Sequence, residues 1–107
     1  MGEVKWTEKA SFNLRAIYDY IARDSKTYAF RFVKSLIKAT SKLQSMPRCG
    51  RVVPEFKGYD LREVIYQNYR IIYRVKESSG DDIEILAVVH GARKIKTALK
   101  QEWELGD

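Results

Sequence analysis

Three antiparallel strands are predicted from the sequence Leu61-Arg-Glu-Val-Ile-Tyr-Gln-Asn-Tyr-Arg-Ile-Ile-Tyr-Arg-Val-Lys-Glu77 and Ile83-Glu-Ile-Leu-Ala-Val-Val-His-Gly-Ala-Arg93. β-Branched and aromatic residues dominate both segments, and apolar and polar positions partly alternate, as is typical of strands. Turn residues interrupt the pattern at 67–68 and at 78–82. The third strand therefore ends near His90, with Arg93 close to its tip.

The length of the first turn, at Gln67-Asn68, sets which side chains share a face of this sheet. With a two-residue turn, Arg62 is paired with Tyr73, and Arg70 joins Glu63 on the other face. With a loop one residue longer, Arg70 instead shares a face with Arg62. Because a one-residue slip moves every side chain to the opposite face, both registers stay open at this point.

Two amphipathic helices are predicted before these strands. After a short strand at Val4–Trp6, apolar residues recur at helical spacing over 10–21. A second helix, capped by Ser25, continues for about five turns until Pro47. Helices joined by so few residues form an antiparallel hairpin. The predicted fold class is α+β, with an N-terminal helical hairpin packed on a small twisted antiparallel sheet, in a single domain over residues 1–107.

Composition narrows the function classes. The net charge of +6 and pI near 9.5 favour an acidic partner, which could be nucleic acid, an anionic membrane surface or a protein. The single cysteine, Cys49, cannot form an intrachain disulfide, and the N-terminus carries no apolar signal region. No apolar run approaches the roughly 18 residues that suggest a membrane span. We therefore expect a soluble, cytoplasmic protein without a membrane partner.

The second predicted helix carries a row of basic residues. No Asp or Glu occurs between Lys26 and Gln44, although a solvated helix usually mixes acids among its bases. The row is either a solubilising face or an electrostatic docking face. Its members follow three-to-four-residue spacing: Arg31, Lys34, Lys38 and Lys42.

Metal and cofactor sites are not supported by the sequence. One histidine, one cysteine and scattered carboxylates lack the clustered spacing that zinc or a two-metal nuclease needs. Glycine-rich phosphate loops and Ser-His-Asp arrangements are also absent. Cys49 lies 41 positions from His90 with no supporting motif, so a nucleophilic cysteine is not expected.

Several motifs together resemble the RelE/ParE superfamily of type II toxin–antitoxin toxins, and the ParE branch most closely. The similarity runs from Trp6 to Arg93. It is carried by the helical hairpin and by four segments: Gly50-Arg-Val-Val-Pro-Glu55, Arg62-Glu-Val64, Tyr69-Arg-Ile-Ile-Tyr73 and Val89-His-Gly-Ala-Arg93.

The resemblance implies a partner and a choice of target. A cognate antitoxin, ParD-like or similar, would be encoded alongside and would wrap the toxin with its C-terminal segment. ParE-branch members poison DNA gyrase, whereas RelE-branch members cut mRNA in the ribosome; the shared fold does not choose between them. We expect a plasmid-stabilisation-like toxin that inhibits gyrase by binding, without a cofactor. The alternatives are a metal-independent, ribosome-dependent mRNA endonuclease and a non-toxic relic that acts in transcriptional autoregulation.

Arginines and the single histidine are the candidate site residues. In a nuclease, cations would stabilise the phosphorane and His90 would transfer a proton. Arg70 and Arg93 match arginine positions of the RelE branch, but the tyrosine that this branch carries in or after its last strand is missing. In a gyrase-binding toxin the same residues would contact the partner: Arg62, Arg70, His90 and Arg93.

Other roles for these residues stay open. Arg70 and Arg93 could instead support the fold by pairing with Glu63, Glu84 or backbone carbonyls. His90 could be a structural hydrogen-bonding residue at the strand end. Beyond them, Trp103 ends a segment with helical spacing, where it is either a packing anchor or a partner contact.

Overall fold

Two helices pack on a five-stranded, mostly antiparallel sheet. The computed structural model describes residues 2–56 and 58–91. The strands are β1 (Val4–Trp6), β2 (Arg51–Val52), β3 (Arg62–Tyr66), β4 (Tyr69–Lys76) and β5 (Asp82–His90), and the helices are α1 (Glu8–Ala22) and α2 (Lys26–Ala39). The predicted α+β fold class, the helical hairpin and the three central strands are confirmed.

The sheet is open, with the strand order β1-β5-β4-β3-β2. β1 runs parallel to β5, and the other neighbours are antiparallel. β2 was not predicted. It lies in the connector before β3, residues 45–61, and pairs with β3 through only two residues, Arg51 and Val52. A register shift between Ile72 and Tyr73 interrupts the pairing of β4 with β5.

The turn between β3 and β4 contains two residues, Gln67 and Asn68. Gln67 adopts a positive φ of 54°, and Arg62 pairs with Tyr73 across the two strands. Arg70 therefore lies on the same face as Glu63, which confirms the register predicted for a two-residue turn.

Hydroxyl side chains mark both ends of α2. Ser25 caps its start by accepting a hydrogen bond from the Tyr28 amide at 3.1 Å. The helix ends at Ala39, earlier than predicted, and a 3₁₀ turn at Ser41–Gln44 follows. The Thr40 hydroxyl donates to the Ile37 carbonyl at 2.7 Å, so side chains compete for the carbonyls that a longer helix would use.

Both faces of the sheet are buried. One face packs against the helices through a core that includes Leu36, Ile71 and Tyr73. The opposite face holds a second core, in which Ile72 and Leu86 contact residues of the connector before β3. The connector members of that core are Val53, Phe56 and Leu61. In the described residues, no helix is long and apolar enough to cross a membrane.

A buried tyrosine fixes the start of the connector. The Tyr73 hydroxyl donates to the Pro47 carbonyl at 2.8 Å and accepts from the Gly50 amide at 2.9 Å. A Cβ at Gly50 would lie 2.6 Å from both the Tyr73 hydroxyl and the Glu63 carbonyl. Burial raises the pKa of the Tyr73 phenol, so it stays protonated and keeps its donor.

We expect Gly50→Ala to destabilise the protein by about 1–3 kcal/mol, because the added methyl group overpacks the contact with Tyr73. Gly91→Ala is the control, since its Cβ would approach only the Asn68 carbonyl, at 3.3 Å. Chemical denaturation of both variants measures the difference. Equal stabilities for the two variants would contradict the close-approach explanation.

Candidate functional site

A cleft of about 370 Å³ opens beside the β3–β4 turn, at the end of β5. It brings together two residues that the sequence singled out, Arg70 and His90. Arg62 does not line it. The lining residues are Arg51, Ile65, Gln67, Asn68, Tyr69, Arg70, His90 and Gly91.

Arg70 is buried under this cleft and donates to two carboxylates. Its two terminal nitrogens bind Glu55 in a bidentate pair at 2.8 and 2.9 Å, and its Nε donates to Glu63 at 2.5 Å. The Glu55 hydrogen bonds are the main reason why the pKa of Arg70 is raised. The fold-supporting role of Arg70 is therefore observed, through Glu63 as one predicted partner and Glu55 as a second that was not predicted.

Glu63 is the most deeply buried charge in the network. Its side chain is fully shielded from solvent, and its two oxygens accept hydrogen bonds from Arg70 and from Arg51, each at 2.5 Å. A buried carboxylate requires such partners, because removing its charge from water costs several kcal/mol. Two arginines and two glutamates therefore form one compensated network.

Glu55 is the partly exposed end of that network. Its hydrogen bonds from Arg70 lower the pKa of the Glu55 carboxyl from its ordinary value of 4.5 to about 2. Glu55 lies in the short 3₁₀ turn Pro54–Phe56. The ion pair therefore holds the connector onto the exposed side of Arg70.

Arg62 lies on the helix-packed face of β3, away from the cleft. Its guanidinium donates to the Gly50 carbonyl at 2.9 Å and to the Arg48 carbonyl at 3.3 Å. It thus binds the same connector that Tyr73 fixes. The geometry gives Arg62 a fold-supporting role, with part of its surface still exposed.

His90 belongs to an aromatic cluster at the mouth of the cleft. Its ring packs edge-on against Tyr69, with 5.6 Å between centroids, and Tyr69 contacts Phe32 of α2 at 5.9 Å. Burial raises the pKa of Tyr69. The structure therefore places a tyrosine beside His90, and this tyrosine comes from β4 and not from the last strand or the residues after it.

The basic row lies on the helical layer, on α2 and the turn that follows it, and none of its residues lines the cleft. All four members are exposed, and the Lys34 ammonium group lies 5.8 Å from the centre of the Phe30 ring. Arg31, Lys34 and Lys38 belong to α2, whereas Lys42 belongs to the 3₁₀ turn that follows it. Lys42 was predicted on the helix itself, and the early end of α2 corrects this.

Three predicted features lie outside the described residues: Arg93, Trp103 and the helical spacing over 94–103. Within 2–56 and 58–91, no group of three His, Cys, Asp or Glu residues is placed to hold a metal ion.

Two residues of the site were missed from the sequence: Glu55, which pairs with Arg70, and Ile65, which lines the cleft. Glu55 sits in a segment without periodicity, so no pattern predicts its contact with Arg70. Ile65 is 54% exposed although it lies in the middle of β3. Neighbouring strand residues point to opposite faces of the sheet, so Val64 and Ile65 cannot both face the helices. This alternation could have indicated an exposed apolar side chain at Ile65.

The family model for the ParE toxin of the type II toxin–antitoxin system, parDE, matches residues 4–95. The chain therefore belongs to the ParE toxin family.

Two solved structures have a similar fold. The chromosomal ParDE system from P. aeruginosa is 28% identical, with a TM-score of 0.68 over 84% of this chain and 96% of that one. The RelBE2 toxin–antitoxin complex from Mycobacterium tuberculosis is 20% identical, with a TM-score of 0.61 over 83% of this chain and 96% of that one, a likeness that concerns the fold. No curated protein matches the sequence.

We expect Arg70→Ala to lower the free energy of unfolding by about 3–5 kcal/mol, because it removes one of the partners of buried Glu63. Arg74→Ala is the matched control on the same strand, since its pair with Glu84 is partly exposed, at 49% and 24% of the two side chains, and is worth under about 1 kcal/mol. Urea denaturation at neutral pH gives both values. Similar losses for the two variants would argue against a structural role for Arg70.

We expect the advantage of wild type over Glu55→Gln to depend on pH. Because folding depresses the pKa of Glu55 from 4.5 to about 2, its stabilisation is fully present above pH 4.5 and disappears as the pH falls toward 2. Denaturation at several pH values between 7 and 2 measures this difference. A difference that stays constant over that range would show that the ion pair does not contribute.

Proposed function

We propose that this ParE-family toxin inhibits DNA gyrase by binding, in the cytoplasm, and that a cognate antitoxin neutralises it. Membership of the ParE family supports the toxin role, and the ParDE system from P. aeruginosa is a structural neighbour. The ParE-branch motifs in the sequence favour gyrase as the target.

One observation favours binding over catalysis: both arginines of the cleft are compensated by carboxylates. Arg70 donates to Glu55 and Glu63, and Arg51 donates to Glu63. A metal-free ribonuclease needs cations aimed at the phosphorane, where negative charge develops. Cations already paired with carboxylates stabilise that charge poorly.

The cleft is well suited to contact a protein. Ile65 exposes an apolar side chain at its mouth, next to the amide side chains of Gln67 and Asn68 and to the ring of His90. An apolar centre with polar groups around it is typical of protein interfaces. We propose that gyrase meets this surface and that Arg93 and Trp103, which follow it in sequence, also contact the partner.

Exposed apolar residues on the helical hairpin support a second partner, the antitoxin. Phe12 of α1 is 70% exposed and Phe30 of α2 is 61% exposed. Between the helices, a shallow apolar groove is lined by Leu14, Tyr18 and Val33. Monomeric proteins seldom leave such surface uncovered, and we propose that the antitoxin buries it.

A ribosome-dependent mRNA endonuclease is the second candidate, and one observation favours it. Tyr69 and His90 lie side by side at the cleft, so two groups able to transfer protons are present close to Arg70. In the described part of the cleft, however, both arginines are paired with carboxylates, and no unpaired arginine is present to stabilise the phosphorane.

Two parallel assays of the purified toxin distinguish these functions. We expect inhibition of gyrase supercoiling, with accumulation of cleaved DNA, and intact mRNA in cell-free translation. Codon-positioned mRNA cuts with normal supercoiling would instead support the endonuclease. Normal supercoiling together with intact mRNA would leave the non-toxic relic as the best account.

A pair of variants locates the gyrase surface. We expect Ile65→Lys to weaken gyrase inhibition, because a charge at the cleft mouth prevents apolar burial. Tyr59→Lys is the matched control, since Tyr59 is also apolar and exposed but does not line the cleft. Equal inhibition by the two variants would place the gyrase contact elsewhere.

A further inference from the structure

The basic row of α2 forms a narrow stripe on the outside of the helical hairpin. Helix geometry places successive residues about 100° apart, so Arg31, Lys34 and Lys38 fall within a sector of roughly 60°. The buried residues of α2, Ala29 and Leu36, lie on the opposite side. The three cations therefore point directly away from the core, and Lys42 extends the stripe into the following turn.

Among the described residues, no carboxylate pairs with any of these four charges. The ion pairs among the described residues involve other cations of the chain, including Arg15, Arg48, Arg51, Arg70 and Arg74. No residue of the row takes part in one, and the sequence from 26 to 44 contains no acid. The row therefore presents four positive charges without a paired carboxylate in the described part of the chain.

The neighbours of the stripe narrow the choice of partner. Thr27 is exposed and falls within the same sector of the helix, where its hydroxyl adds a donor for phosphate oxygens; exposed Ser35 lies about 40° beyond the edge of the sector. The exposed apolar residues Phe30 and Ile37 lie to one side, toward Val33 and the groove with α1. The sector itself thus holds cations and the Thr27 hydroxyl, and the exposed aromatic residues Phe30 and Tyr28 lie outside it, one on each side.

We propose that the basic row docks on the phosphate backbone of duplex DNA. This inference rests on the proposed function, because gyrase acts on DNA and an inhibitor bound to it lies close to that DNA. A row of exposed cations along one side of a helix and the turn after it is complementary to the regular phosphates of a duplex. Recognition of a single strand would require aromatic rings for base stacking within the row, and an acidic amphipathic helix would require apolar anchors there.

The contact would be independent of sequence, because phosphate contacts position a protein without reading bases. Four cations neutralise at most four phosphates. The affinity would then fall with salt, with a slope of log K against log [salt] of about −3 to −4.

Two quadruple variants of the full-length protein test this proposal. The first carries Arg31→Gln, Lys34→Gln, Lys38→Gln and Lys42→Gln. The control removes the same number of exposed positive charges elsewhere, through Arg15→Gln, Arg23→Gln, Lys26→Gln and Lys76→Gln. Thermal unfolding verifies that both variants are folded, and the anisotropy of a labelled short DNA duplex is titrated over a range of salt concentrations.

We expect wild type and the control to bind the duplex with similar salt slopes. The row variant should bind at least about tenfold more weakly near 0.1 M salt, with a much smaller slope. Equal losses in the two variants would reduce the effect to net charge and overturn the proposal. Unchanged binding by the row variant, or tighter binding of wild type to single-stranded DNA, to duplex RNA or to an acidic peptide, would also overturn it.

Gyrase inhibition is measured separately on the same preparations. Duplex binding through the row without gyrase inhibition would refute the proposed function and leave the DNA contact standing. Gyrase inhibition by a wild-type protein that does not bind the duplex would refute the DNA contact and leave the proposed function standing.

Discussion

The buried carboxylate of Glu63 is the constraint on which the cleft side of the sheet depends. Since it is fully shielded from water, it is stable as an anion only with cationic partners in place, and Arg51 and Arg70 both donate to it. Arg70 has further donors, which bind Glu55 in the connector. One buried charge thus links β2, β3 and β4 to the Pro54–Phe56 turn that covers the second core.

Several arginines of the sheet make structural contacts within the protein. Arg62 holds backbone carbonyls, Arg70 holds two carboxylates, and Arg74 pairs with Glu84. The exposed surfaces of the described residues, which we propose as partner contacts, have a different character: an apolar cleft mouth at Ile65, exposed aromatic residues on the hairpin, and the basic row of α2. This arrangement supports the proposal that the toxin acts by binding rather than by stabilising a phosphorane.

Periodicity and turn length explain what could be predicted from the sequence. The helices and the three central strands have clear periods. The sequence left two registers of β3 and β4 open, and the two-residue turn in the structure places Arg70 beside Glu63. β2 contains too few residues to show a period. The pairing of Arg70 with Glu55 joins a strand to a connector without periodicity. Local sequence patterns therefore predict neither this ion pair nor the burial of Arg70. The early end of α2 depends on the Thr40 hydroxyl, which competes with helical hydrogen bonding.

The most direct test of this account is a double-mutant cycle on Glu63 and Arg70, with Glu63→Gln, Arg70→Gln and the double variant compared by equilibrium denaturation. Residues in one buried ion-pair network should show a coupling free energy of about 2–3 kcal/mol. A coupling below about 0.5 kcal/mol would mean that the two residues act independently, and it would contradict the view that Glu63 holds the arginines of the cleft in a structural role.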